Sequence, residues 1–163
     1  MESVAYFVLA VILGSFLEYW VHRLMHIYPK FGNGITAHYG HHHSNTTKGF
    51  WGDWLDFSLV SLLVLPAFIV SLSFGIIMML GTIAFAAFAS YAHQIQHYQP
   101  DKCYWMKMPI HFVHHSHNQW DSNFGLAIDC WDKVFGTYKS VPWLDEEALN
   151  IDLNVNLNVK RSL

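Results

Sequence analysis

The sequence predicts an all-α integral membrane protein with about three apolar membrane segments and a cytosolic helical cap rich in histidine. Three observations carry that expectation. Apolar residues make up 53% of the 163-residue chain and charged residues only 13%, against about 25% charged in ordinary soluble domains. The apolar residues gather in uncharged runs of membrane length. All twelve histidines fall into four clusters: His22-x-x-x-His26, His38-x-x-His41-His42-His43, His93-x-x-x-His97 and His111-x-x-His114-His115-x-His117. Their three- and four-residue spacings stack side chains along a helix face.

By length the chain, 1–163, reads as a single domain. The first apolar segment, 4–21, contains one ionisable residue, Glu18. No basic stretch precedes it and no Ala-x-Ala site follows, so it reads as a retained anchor rather than a signal peptide. It runs straight into the first cluster, where Glu18, His22 and His26 share a face at i, i+4 and i+8. That spacing lets the carboxylate orient His22. Arg23 reads as an interfacial charge at the end of the span. The connection 22–54 carries the second cluster. From 57 to 92 there are thirty-six consecutive residues without Asp, Glu, Lys, Arg or His. One straight helix of that length would run about 54 Å, nearly twice a ~30 Å hydrocarbon core. The stretch therefore predicts a hairpin of two segments, about 55–71 and 74–92, turning at 71–75. The part 93–140 carries the last two clusters. In 148–160 apolar and polar residues alternate with period two, which predicts a short strand.

Two cysteines, Cys103 and Cys130, are too few for a disulfide framework and lack zinc-finger spacing. A formal charge of −3, with no basic run or glycine-rich phosphate loop, excludes a nucleic-acid or nucleotide partner. A hairpin returns the chain to the side it left, so 22–53 and everything after His93 share one compartment. All nine Lys and Arg lie there as well. The positive-inside rule makes that side cytosolic, at a bacterial inner membrane or the endoplasmic reticulum.

His38, His41 and His42 sit at i, i+3 and i+4, as do His111, His114 and His115; His22 with His26 and His93 with His97 sit at i, i+4. These ten are the candidate metal ligands. His43 and His117 fall off the shared faces by about 140° and 240° at roughly 100° per residue, which makes them solvated or supporting residues. Ten imidazoles exceed the four with which a structural zinc site closes; divided between two ions they give about five each. Five nitrogens around an ion that prefers six leave a position open, which suits iron(II) and dioxygen, although imidazole also accepts zinc. Asp53, Asp56, Asp121, Asp129 and Asp132 lie on the same side, where carboxylates can offset the ions' charge and hold imidazole N–H groups, or stand as solvated loop acids. A membrane protein stabilised by two zinc ions is the non-enzymatic alternative. Metal transport would need histidines within the spans, whereas here each lies at a span end or beyond.

These clusters, with Asn118-Gln119-Trp120-Asp121-Ser122-Asn123-Phe124-Gly125 and Trp131-Asp132-Lys133-Val134-Phe135-Gly136-Thr137-Tyr138, closely resemble the fatty acid hydroxylase and sterol desaturase superfamily over about 18–138. The resemblance implies a membrane enzyme with a dimetal centre, two iron ions with zinc as the substitute, that uses dioxygen to hydroxylate or desaturate a fatty acyl chain or sterol. It implies ligands at His22, His26, His38, His41, His42, His93, His97, His111, His114 and His115. Glu18, His43, His117, Asp121, Asn123 and Asp132 are the expected supporting residues around them. The chain departs from the family in having three apolar segments where many members have four, and in carrying His43 and His117. Small carotenoid hydroxylases have comparable length and clusters and supply the nearest alternative substrate. Pocket walls are expected among Trp20, Trp51, Trp54, Phe57 and Tyr91, aromatics that also suit an interfacial belt. The chain has no flavin fingerprint and no haem or iron–sulfur cysteine spacing, so an external reductase or electron carrier is implied.

Overall fold

The computed structural model describes residues 1–143, which form seven α-helices and no strand. The strand expected at 148–160 lies outside the described residues. Two long helices frame the fold: α1, Glu2–Ile27, and α5, Leu72–Tyr98. They pack along each other, and small residues set how closely. A Cβ added to Gly81 would overlap the Cβ of Ala10 and lie 2.9 Å from the Phe7 carbonyl oxygen. Across the same seam Gly14 faces Phe85. Both helices are long and apolar enough to cross a membrane, and only 28% and 39% of their most apolar windows are buried. A water-soluble core helix would hide that surface; here Val8, Ile12, Ile76 and Leu80 are each 44% exposed or more.

The apolar stretch between them is not one helix. Helix α3, Gly49–Ser58, lies against α5 and gives way to a 3-10 stretch, Leu59–Val64, and a single turn of helix, α4, Ala67–Val70. Pro66 supplies the reason. It has no N–H for the carbonyl four residues back, and its ring crowds that carbonyl. The chain tightens instead into three-residue hydrogen bonds, as from Leu65 N–H to Leu62 at 3.2 Å. The expected turn at 71–75 contracts to Ser71, whose hydroxyl caps α5 by accepting the Phe74 N–H at 3.1 Å.

Both long helices continue past their apolar ends, and this matters for the histidines. His22 and His26 sit in the last turns of α1, and His93 and His97 in the last turns of α5. A π-helical turn, Lys30–Ile35, leads from α1 to α2, His38–Ser44. Left-handed residues at both ends, Ala37 at φ 54° and Asn45 at φ 49°, confine α2 to seven residues. Helix α6, Ile110–Ser116, stands over Cys103, Met106 and Met108, and α7, Cys130–Val134, follows a loop folded back on α1.

Candidate metal centre

Four helices bring the four clusters together. The ring nitrogens of His22, His26, His38, His42 and His114 gather so that one ligand atom of each lies within 4.8 Å of all the others. His41, His97, His111 and His115 form a second group to the same tolerance. His93 stands beside it, its Nε2 3.2 Å from Nε2 of His41. The ten expected ligands therefore divide into five and four plus one. Helices α2 and α6 each serve both groups: α2 gives His38 and His42 to one and His41 to the other, and α6 gives His114 to the first and His111 and His115 to the second. Stacked rings of His42 and His115, centroids 4.0 Å apart, join the two.

Two rings of the first group, His22 and His114, turn a lone pair toward its centre. Carbonyl oxygens can only accept, so a ring nitrogen bonded to one carries the proton, and the opposite nitrogen is left as a free donor pair. His22 donates Nδ1–H to the Phe124 carbonyl at 2.5 Å, and His114 donates to Ser122 at 2.8 Å. In the second group His41 donates to Thr46 at 2.8 Å. Facing Nε2 atoms then stand 2.9 Å apart for His26 and His38, 3.1 Å for His38 and His42, 3.1 Å for His26 and His114, and 3.3 Å for His97 and His111. Metal–nitrogen bonds of about 2.0–2.1 Å meeting at right to tetrahedral angles space two nitrogens by about 2.8–3.4 Å. The donor set fits divalent ions in both chemistry and spacing. His115 agrees, with both ring nitrogens buried and without a hydrogen-bond partner.

Burial and mutual repulsion keep these rings neutral. His38 and His42 are pushed down to about 2, first by desolvation and then by neighbouring imidazoles. His114 falls to about 3 and His41 to about 4, chiefly by burial. His111 and His115 shift the same way for the same reasons. Lone pairs are thus available throughout the physiological range.

Of the expected supporting residues, none holds an imidazole. Glu18 does not orient His22, whose Nδ1 is taken by Phe124; its Oε1 accepts the Leu126 N–H at 3.0 Å instead. His43 is exposed, as helical rotation predicts; His117, which caps α6 beyond its last residue Ser116, is exposed too, as is Asp121. Asp132 and Asn123, both fully buried, brace the loop behind the site. Asp132 accepts the Phe124 and Gly125 N–H groups at 2.8 and 2.7 Å and the Thr137 hydroxyl at 2.7 Å. Asn123, at φ 58°, bonds both ways with the Lys139 backbone. Burial raises Asp132 despite these bonds.

Of the five same-side aspartates expected to offset charge or hold imidazole N–H groups, Asp53 does the latter, accepting the His93 Nδ1–H at 2.7 Å. Two further contributors escaped the sequence reading. Gln96, fully buried, accepts the His111 N–H and donates to the Leu126 carbonyl. Trp120 stacks on His42 with centroids 4.8 Å apart and meets His26 edge-on at 5.0 Å.

A cavity of about 810 Å³ opens against the histidines. His22, His38, His41, His93 and His111 line it together with Val21, Met25, Phe57, Val60 and Leu63 and the acidic Glu18, Asp53 and Asp56. Of the five aromatics expected as walls, only Phe57 lines it. Ser44, Thr46 and Lys48 border it from the connecting loop.

No curated protein and no solved structure matches the chain. The family model described as fatty acid hydroxylase matches residues 7–137, a span holding every histidine, all of α5, α1 from Phe7 onward and the Asp132 brace. On that match, this chain belongs to the fatty acid hydroxylase family.

Proposed function

We propose that this protein is a membrane-embedded oxygenase that hydroxylates or desaturates a lipid chain or sterol, using dioxygen and electrons from an external carrier. The observation that carries the reading is the cavity, whose lining combines histidines of both groups with the apolar Val21, Met25, Phe57, Val60 and Leu63. Apolar walls of that kind accept an unactivated hydrocarbon and exclude water, while the nest holds ions within reach of it.

His22, His26, His38, His42 and His114 would hold one ion, and His41, His93, His97, His111 and His115 the other. Iron ions bound there would supply dioxygen activation and cleavage of a C–H bond. The chain supplies the rest. Backbone carbonyls of Phe124, Ser122 and Thr46 keep the protons of His22, His114 and His41 on the outward nitrogens. Val21, Met25 and Phe57 align the substrate chain alongside the histidines. Eight of the ten rings come from α2, α6 and the end of α5, and α2 and α6 each serve both nests, which couples the two. Two electrons per turnover enter from a partner docking on the side that bears the histidines, which charge asymmetry assigns to the cytosol.

The test is metal analysis of protein purified without oxygen, together with lipid analysis of cells expressing it under oxygen-18 gas. Two irons per chain and labelled hydroxyl in a lipid are expected for hydroxylation, and two irons with an unlabelled new double bond for desaturation. Zinc alone, with no change in lipids when a competent reductase is supplied, would replace this reading with a structural dizinc protein.

A further inference from the structure

We propose that Asp53 is a positioning residue for the second histidine group and that its carboxylate makes the two ion sites inequivalent. The inference rests on the dimetal reading above.

Asp53 is 4% exposed, on α3, and the one imidazole it bonds is His93, beside the second group. Its Oδ2 accepts the Nδ1–H of His93 at 2.7 Å and the Gln94 amide at 2.5 Å; its Oδ1 accepts the Lys48 backbone N–H at 3.0 Å. An ionised carboxylate only accepts. It therefore fixes the His93 proton on Nδ1 and turns the Nε2 lone pair toward His41, 3.2 Å away. His93 is the one expected ligand outside the two tight groups, so its recruitment depends on how its ring is held. The rings of the first group with a bonded Nδ1, His22 and His114, are held by neutral carbonyls. Among the described residues no other carboxylate bonds an imidazole: Asp56 pairs with Lys48, Asp129 with Lys133, and Asp132 with the loop backbone. One site is thus backed by an anion and the other is not. A carboxylate behind an imidazole raises its basicity as a ligand, and such partners change metal affinity by about 10–100-fold. The second ion accordingly gains a fifth nitrogen and tighter retention through Asp53, whereas the first ion is indifferent to it.

Cobalt(II) is the probe, titrated into metal-free full-length protein in detergent micelles against a competing chelator and followed by its visible absorption. Wild-type protein is expected to bind two ions; binding of fewer would sink the dimetal reading itself. Asp53→Asn keeps the size and an acceptor but removes the charge, and should weaken one ion about 10–100-fold with the other unchanged. Asp53→Glu should bind that ion more tightly than Asp53→Asn. His93→Ala should reproduce the defect, and adding Asp53→Asn to it should cost nothing more, because a residue acting through His93 is silent once His93 is gone. Equal weakening of both ions, an unaltered second ion, or additive losses in the double variant would overturn the assignment. If Asp53→Asn does not fold, His93→Ala alone decides, and loss of both ions from it would be equally fatal.

Discussion

Replacing Asp132 with alanine tests how the loop behind the metal nest is held. Asp132 is fully buried and receives the N–H groups of Phe124 and Gly125 and the hydroxyl of Thr137. Alanine leaves two buried N–H groups without an acceptor, while Thr137 keeps its bond to the Tyr19 hydroxyl at 2.9 Å. An orphaned buried donor costs about 1–3 kcal/mol, so the two together cost about 2–6 kcal/mol. The substitution also removes a carboxylate whose burial is unfavourable, as its raised pKa shows, which brings the expected loss to about 2–4 kcal/mol. That is a large share of the roughly 5–15 kcal/mol that holds a typical domain together. The site feels it as well, because the Phe124 carbonyl fixes the His22 proton. Unfolding by SDS titration in mixed micelles should show the loss, and the ion held by the His22 group should be released first on chelator challenge. A loss below about 1 kcal/mol, or release of the other ion first, would refute the reasoning.

Three further outcomes are expected. His114→Ala removes the ring whose Nε2 stands 3.1 and 3.2 Å from those of His26 and His42, and should lower lipid oxidation by at least roughly 100-fold. The exposed His43→Ala should leave turnover essentially intact; equal effects in the two variants would show that the ligand faces are misassigned. Gly81→Leu forces side-chain atoms onto Ala10 and the Phe7 carbonyl, and overpacking of this kind costs about 1–3 kcal/mol; an unchanged unfolding midpoint would contradict the close seam between α1 and α5. Metal-free protein should lose stability as pH falls from about 6.5 toward 4, because the unfolded chain takes up protons near 6.5 while the folded His38, His41, His42 and His114 stay neutral until about 2, 4, 2 and 3. Folded pKa values below the unfolded ones put more protons on the unfolded state throughout that window, which fixes the sign. A flat profile in circular-dichroism melts would show that the folded rings protonate normally.

Much of this protein is written locally. Uncharged runs reveal the two long apolar helices, since helix length and side-chain polarity are properties of consecutive residues. The spacing within each cluster reveals that histidines share faces, because 100° per residue is fixed by the backbone, and it turns His43 off the face, where the structure leaves it exposed. The middle apolar segment was misjudged: 55–71 was expected as one span, whereas Pro66 leaves α3, a 3-10 stretch and α4 in its place. Helical spacing, however, measures rotation about one axis and says nothing about what stands across from it. Packing alone decided that His41 would leave His38 and His42 to join His97, His111 and His115, and that His114 would cross the other way. It also decided that Glu18, one turn from His22 in sequence, would serve the Leu126 amide, while Asp53, forty residues from His93, would hold the imidazole. Hydrogen-bond partners are chosen by direction and distance in space, and only the assembled helices set those.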